Sequence, residues 1–280
     1  MINNAIKRKI LKRVTPIVFI ALITLGVFAS CSKDDNNNGK AVKTFVLIHG
    51  AWQGAWVWQD VKSGLEKAGQ KVIVVELPAH GDDQTSPAKV NLHVYRDEVI
   101  SAIDKISGKV ILVGHSMGGM VITSVAEAIP DKIEKLVYIG AFLPANGQSL
   151  GDLAATDAQS LLGPNLIPSA DQLTLDIKRE QVVNIFCQDG SDAVKARVNA
   201  KFRVEPAIPF GNKVTLTAAN FGKVDKYYIH TLQDHAVGIE LQYRMVKAAG
   251  ITKTVGLNSG HCPFLSMPDK VISSLLNIIK

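Results

Sequence analysis

The stretch Val110-Ile111-Leu112-Val113-Gly114-His115-Ser116-Met117-Gly118-Gly119 sets the reading of the whole chain. Four consecutive apolar residues, three of them β-branched, predict a strand buried on both faces. A helix-compatible stretch over 117–129 follows at once and stops before Pro130. Between them lies Gly-x-Ser-x-Gly. A serine on so tight a strand-to-helix turn stands clear of the sheet. Its neighbours must be small for strand and helix to approach, which is the work of Gly114 and Gly118 around His115. The start of the helix lends positive potential to an anion forming there. Ser116 is therefore the candidate nucleophile.

Outward from this turn the chain alternates. Strands are predicted at 44–48, 72–77, 110–113, 136–141, 226–230 and 252–257, with helices at 57–68, 92–106, 117–129, 239–249 and 269–279. Such alternation predicts an α/β domain with a mostly parallel central sheet and helices on both faces. The pattern lapses over about 143–212, which holds Pro144, Pro164, Pro168, Pro206 and Pro209 and reads as an inserted, largely helical cap.

A serine hydroxyl needs a base. Of the seven histidines, His49 and His115 belong to motifs with other duties, and His80 sits in a loop after the second strand. His93, His230 and His235 lack a distinctive setting. His261, in the loop after the last strand, is the candidate base, because chain order in this arrangement is serine, acid, histidine. Asp225 precedes its strand and so sits at the wrong end. Glu240 falls inside a helix. Asp234, just beyond the strand 226–230, is the candidate acid, set to fix the His261 tautomer rather than to take the proton. The loop His49-Gly50-Ala51-Trp52 after the first strand can aim the Ala51 N–H at a carbonyl oxygen. Together with the Met117 N–H it forms a candidate oxyanion hole.

Together, His49-Gly50-Ala51-Trp52-Gln53-Gly54-Ala55-Trp56, the Ser116 turn, Thr231-Leu232-Gln233-Asp234 and Gly260-His261 resemble one branch of the α/β-hydrolase superfamily. That branch holds small plant methyl-ester esterases such as methyl-salicylate esterases, the related hydroxynitrile lyases, and bacterial relatives. The resemblance runs over 43–280 and is weakest in the cap. It implies the α/β-hydrolase fold and hydrolysis of small-molecule esters without metal or cofactor. It also implies Ser116, Asp234 and His261 as triad, with Ala51 and Met117 as oxyanion donors. Plant members carry His where Gln53 stands. The lyases carry Thr at Gly50 and Lys at Cys262, which favours hydrolysis here. Amide, lactone or C–C cleavage by the same triad, and a non-catalytic binding protein, remain alternatives.

The chain has 47% hydrophobic and 20% charged residues, as packed domains do. Five of its +6 formal charges are Lys7, Arg8, Lys9, Lys12 and Arg13, leaving +1 beyond them and no basic stripe for nucleic acid. These cations precede the apolar run 17–29, too short to span a bilayer but suited to a signal peptide. Phe28-Ala29-Ser30-Cys31 resembles a bacterial lipoprotein box. Residues 1–30 are expected to be a signal peptide, Cys31 the lipidation site and 31–42 a polar tether before the domain 43–280. The expected location after export is a bacterial membrane, the outer membrane first, held by lipid, and the start of the tether resembles surface-export signals. Cys187 and Cys262 are expected as two buried thiols, with a disulfide as the alternative.

Overall fold

The computed structural model describes residues 42–280. The signal segment, Cys31 and all of the tether except Val42 lie outside the described residues.

Chain order builds the sheet. Strand β1 (Thr44–Ile48) leads through α1 (Gln59–Lys67) to β2 (Lys71–Val75). Helix α2 (Leu92–Asp104) returns to β3 (Val110–His115), and α3 (Gly118–Ala128) leads on to β4 (Ile133–Ile139). Asn91 caps α2 by accepting from the N–H groups of His93 and Val94. Every residue of β3 is buried, as its unbroken apolar run predicts.

Between β4 and β8 lie α4 (Leu150–Ala154), β5 (Leu166–Pro168), β6 (Thr174–Ile177), α5 (Val182–Phe186), α6 (Asp192–Lys201), β7 (Glu205–Pro206) and α7 (Ile208–Gly211). The four helices here agree with the largely helical insertion expected, and a small sheet that was not expected joins them. Strands β5, β6 and β7 form an antiparallel sheet in that order. Pro168 and Pro206 lie in its two edge strands, where a missing N–H costs no ladder bond. These strands are too short for a period of two to show.

The chain then runs through β8 (Asp225–Thr231), α8 (Ile239–Ala248), β9 (Thr254–Leu257), α9 (Pro263–Ser266) and α10 (Pro268–Ile278). All pairings in the central sheet are parallel, in the order β2-β1-β3-β4-β8-β9. Right-handed crossovers that first move one way from β1 and then the other put α1 and α3 on opposite faces. Accordingly α1 packs on α10, and α2 on α3. The order reverses between β1 and β3, and a crevice opens beyond the carboxyl ends of strands at such a point. The loop His49-Gly50-Ala51 and Ser116 both start there, since Ile48 and Gly114 are register partners.

Candidate active site

Ser116 takes φ +53°, in the left-handed region that costs a non-glycine residue about 1–3 kcal/mol. The surroundings hold it there. Its N–H donates to Ile139 O, and its carbonyl accepts from the N–H groups of Gly119 and Phe142. The glycines are steric necessities. A Cβ on Gly114 would meet Gly118 O at 2.6 Å, and one on Gly118 would meet His49 O at 2.8 Å.

Asp234 sits at the carboxyl end of β8. Its Oδ1 accepts from the N–H groups of Ala236 (2.7 Å) and Val237 (2.8 Å). Its Oδ2 accepts from Thr231 Oγ1 (2.6 Å) and from His261 Nδ1 (2.8 Å). A carboxylate supplied with donors on both oxygens is fixed in rotation, and it requires the His261 proton on Nδ1. The lone pair is thereby left on Nε2, which is buried and has no hydrogen-bond partner among the described residues. Asp225 starts β8 at the opposite end, where Lys253 Nζ donates to both its oxygens at 2.7 Å.

His115 ties the serine turn to the histidine loop. Its Nε2–H donates to His261 O at 2.9 Å, and the two rings lie 4.4 Å apart between centroids. Burial and the neighbouring His261 push its pKa well below the usual histidine range, so it stays neutral. Asp234 and His261 are thus joined directly, while no hydrogen bond links Ser116 to His261 among the described residues. Such bonds commonly tighten only when substrate is in place.

Ala51, Met117 and Ser116 line one cavity of about 570 Å³ beneath Leu150, Ala154, Leu162, Leu166 and Phe210. Neither the Ala51 nor the Met117 N–H has an acceptor among the described residues. Gly50 allows this close approach: a Cβ there would lie 2.7 Å from His115 Nδ1 and 2.8 Å from Ser116 Cβ.

Several contacts around this site are not announced by any motif. Trp52, at φ +59°, is tied to the insertion at three points. Its N–H donates to Glu205 Oε2 (2.7 Å), its Nε1–H to Leu175 O (2.9 Å), and its carbonyl accepts from Arg203 N–H (3.2 Å). Glu205 is fully buried and its Oε2 also accepts from His80 Nε2 at 2.8 Å. Burial opposes protonation of His80, but the Glu205 charge and hydrogen bond outweigh it and raise the pKa. Sequence offers no local sign of Glu205, because its partners lie 153 and 125 residues away. Asp189 accepts from Gly260 N–H (2.9 Å) and Ser266 Oγ (2.8 Å), bracing the His261 loop. Cys187 and Cys262 are free and buried, and Gln53 Nε2 donates to Cys262 Sγ at 3.0 Å.

A family model described as "Alpha/beta hydrolase family" matches residues 45–274. Putative methylesterase 11 of Arabidopsis thaliana is 31% identical over 252 residues, spanning 84% of this chain and 64% of that protein. Putative methylesterase 14 of the same plant is 30% identical over 263 residues, spanning 87% of this chain and 74% of its own length. The crystal structure of polyneuridine aldehyde esterase superposes with a TM-score of 0.74 at 25% identity, covering 85% of this chain and all of that one. The chain therefore belongs to the alpha/beta hydrolase family, in the branch that holds the plant methylesterases and polyneuridine aldehyde esterase.

Proposed function

We propose that this protein is a serine carboxylesterase acting on small esters. The Asp234–His261 bond carries the reading. A saturated, buried carboxylate holds the imidazole in the one tautomer whose free nitrogen can take a serine proton. In the proposed cycle Ser116 Oγ attacks the ester carbonyl as His261 Nε2 accepts its proton. The N–H groups of Ala51 and Met117 stabilise the oxyanion, and the imidazolium returns its proton to the leaving alkoxide. Water, activated by the same nitrogen, then releases the acid and frees Ser116. The esterase names of the relatives support the reaction class.

Gly50 and Cys262 support hydrolysis over lyase chemistry. A threonine at Gly50 would press on His115 and Ser116. Burial raises the Cys262 pKa, so the thiol stays neutral and supplies no cation for a leaving anion. The test is a fluorophosphonate probe with peptide mapping, run beside a panel of methyl and chromogenic esters, amides and lactones. Ester turnover is expected together with label on Ser116, both absent in Ser116→Ala. Label that persists in Ser116→Ala refutes the nucleophile assignment, and turnover of amides or lactones but no ester refutes the ester class.

We also propose that residues 1–30 are a signal peptide and that Cys31 becomes a lipidated N-terminus anchoring the enzyme to a bacterial membrane. The cationic, apolar and small-residue order ending in Cys31 supports this. Mass spectrometry of the mature N-terminus tests it: an unmodified N-terminus elsewhere sinks the idea.

A further inference from the structure

The candidate oxyanion donor Ala51 sits between two peptide planes, and each is held by a different side chain. The Gly50–Ala51 plane is held by His49, whose Nδ1–H donates to Gly50 O at 2.8 Å. Because that carbonyl and the Ala51 N–H are trans across one rigid plane, holding the oxygen aims the N–H the other way. The ring of His49 is itself fixed by the Leu77 N–H, which donates to its Nε2 at 3.1 Å. The Ala51–Trp52 plane is held from the insertion: Trp52 N–H donates to the fully buried Glu205 carboxylate at 2.7 Å. Of the three bonds that tie Trp52 to the insertion, this one alone holds its N–H, and with it a left-handed backbone that is strained for a bulky residue.

We propose that Glu205, paired with His80, is a positioning residue that orients the Ala51 N–H for the transition state. This rests on the hydrolase reading above. The pairing explains why a carboxylate can stand so near an oxyanion site. An unpaired charge one residue from the donor would oppose the negative oxygen, and an unpaired buried charge is costly in itself. His80, donating at 2.8 Å to the same Oε2, offsets the charge while leaving the oxygen free to accept from Trp52. A neutral backbone acceptor could hold Trp52 too, but β7 contributes its side chain at this point, so the oxyanion loop is referenced to the insertion rather than to the sheet.

The experiment compares wild type with Glu205→Ala, Glu205→Gln and Glu205→Asp. Active sites are titrated with a fluorophosphonate, and kcat, KM and the Ki of an aryl trifluoromethyl ketone are measured per titrated site. The ketone forms a tetrahedral adduct with the serine and so reports on the oxyanion hole. Loss of a whole oxyanion donor costs about 10²–10³ in kcat. Misaiming one is expected to cost about 10- to 100-fold in kcat in Glu205→Ala, with KM within about twofold and Ki raised by the factor by which kcat falls. Glu205→Gln keeps an acceptor at the same reach and is expected to regain activity to within about fivefold of wild type. If Glu205→Ala does not fold, Glu205→Asp carries the test, since it keeps the charge but draws the acceptor away from Trp52. Unchanged kcat and Ki per titrated site in both shortened variants, or a loss confined to KM, overturns the inference. A wild-type protein that neither reacts with the fluorophosphonate nor binds the ketone overturns the hydrolase reading itself.

Discussion

At Asp234 the position of a single proton decides whether the proposed triad can work. Its carboxylate holds the His261 proton on Nδ1, so Asp234→Asn, which can present an N–H there instead, is expected to favour the wrong tautomer. The expected loss is about 10⁴ in kcat with the fold intact, by analogy with the serine-protease example. Asp225→Asn is expected to leave kcat near wild type, because the Asp225 carboxylate is bonded to Lys253 at the far end of β8. Steady-state kinetics of the two variants, with circular dichroism, decide between them; a dead Asp225→Asn beside an active Asp234→Asn reverses the assignment. His115 makes a different prediction. Its folded pKa is depressed, so below about pH 6.5 the unfolded chain binds a proton that the native state refuses. The stability it contributes is full above that pH and falls as pH drops. His49 shares this sign, whereas the raised pKa of His80 acts oppositely, its contribution fading as pH rises through the folded value. Melting temperature is therefore expected to fall from pH 7.5 to pH 5.5, and less steeply in His115→Gln. Equal slopes would show that His115 is not the titrating group.

Among the elements, α3 is the one whose packing leaves least room. A Cβ on Gly119 would run into Phe142 O in the loop after β4. Overpacking of this kind typically costs about 1–3 kcal/mol. Gly119→Ala is thus expected to lower the melting temperature by about 2–4 °C for each kcal/mol lost. Gly211→Ala, where nothing lies within 4 Å, is expected to change it little. Equal melting temperatures for the two variants would contradict the packing argument. The same contrast explains what could be read in advance. The serine turn was legible because its glycines, strand and helix are adjacent in sequence, and His261 because it follows the last strand. Asp234 followed once β8 was placed, although that strand begins at Asp225 and takes in Thr231, one residue beyond its expected span at each end. Strands β5, β6 and β7 were not legible, since two to four residues carry no period. Glu205 was hidden for another reason. A lone carboxylate in Val204-Glu205-Pro206 looks like surface until the fold brings Trp52 and His80 to it.

For the molecule as a whole, the two cysteines report on integrity. Burial pushes the Cys187 thiol up to about 12 and the Cys262 thiol further from reactivity. Protein lacking residues 1–41 is expected to show no reaction with a thiol reagent when native and two reactive thiols when denatured. Rapid native labelling would mean that the region around His261 opens readily. The larger consequence concerns Trp52. Its three bonds to Leu175, Arg203 and Glu205 make the proposed oxyanion loop a shared possession of the sheet and the insertion. An insertion borrowed from a related enzyme to change substrate preference would have to supply the same partners. Chimeras that lack them are expected to fold, bind the new ester and turn it over poorly, until a side-chain acceptor at the Glu205 position is restored. On the positioning role proposed for Glu205, selectivity in this protein is not a detachable module: a change in what the enzyme accepts must keep step with the machinery that reacts.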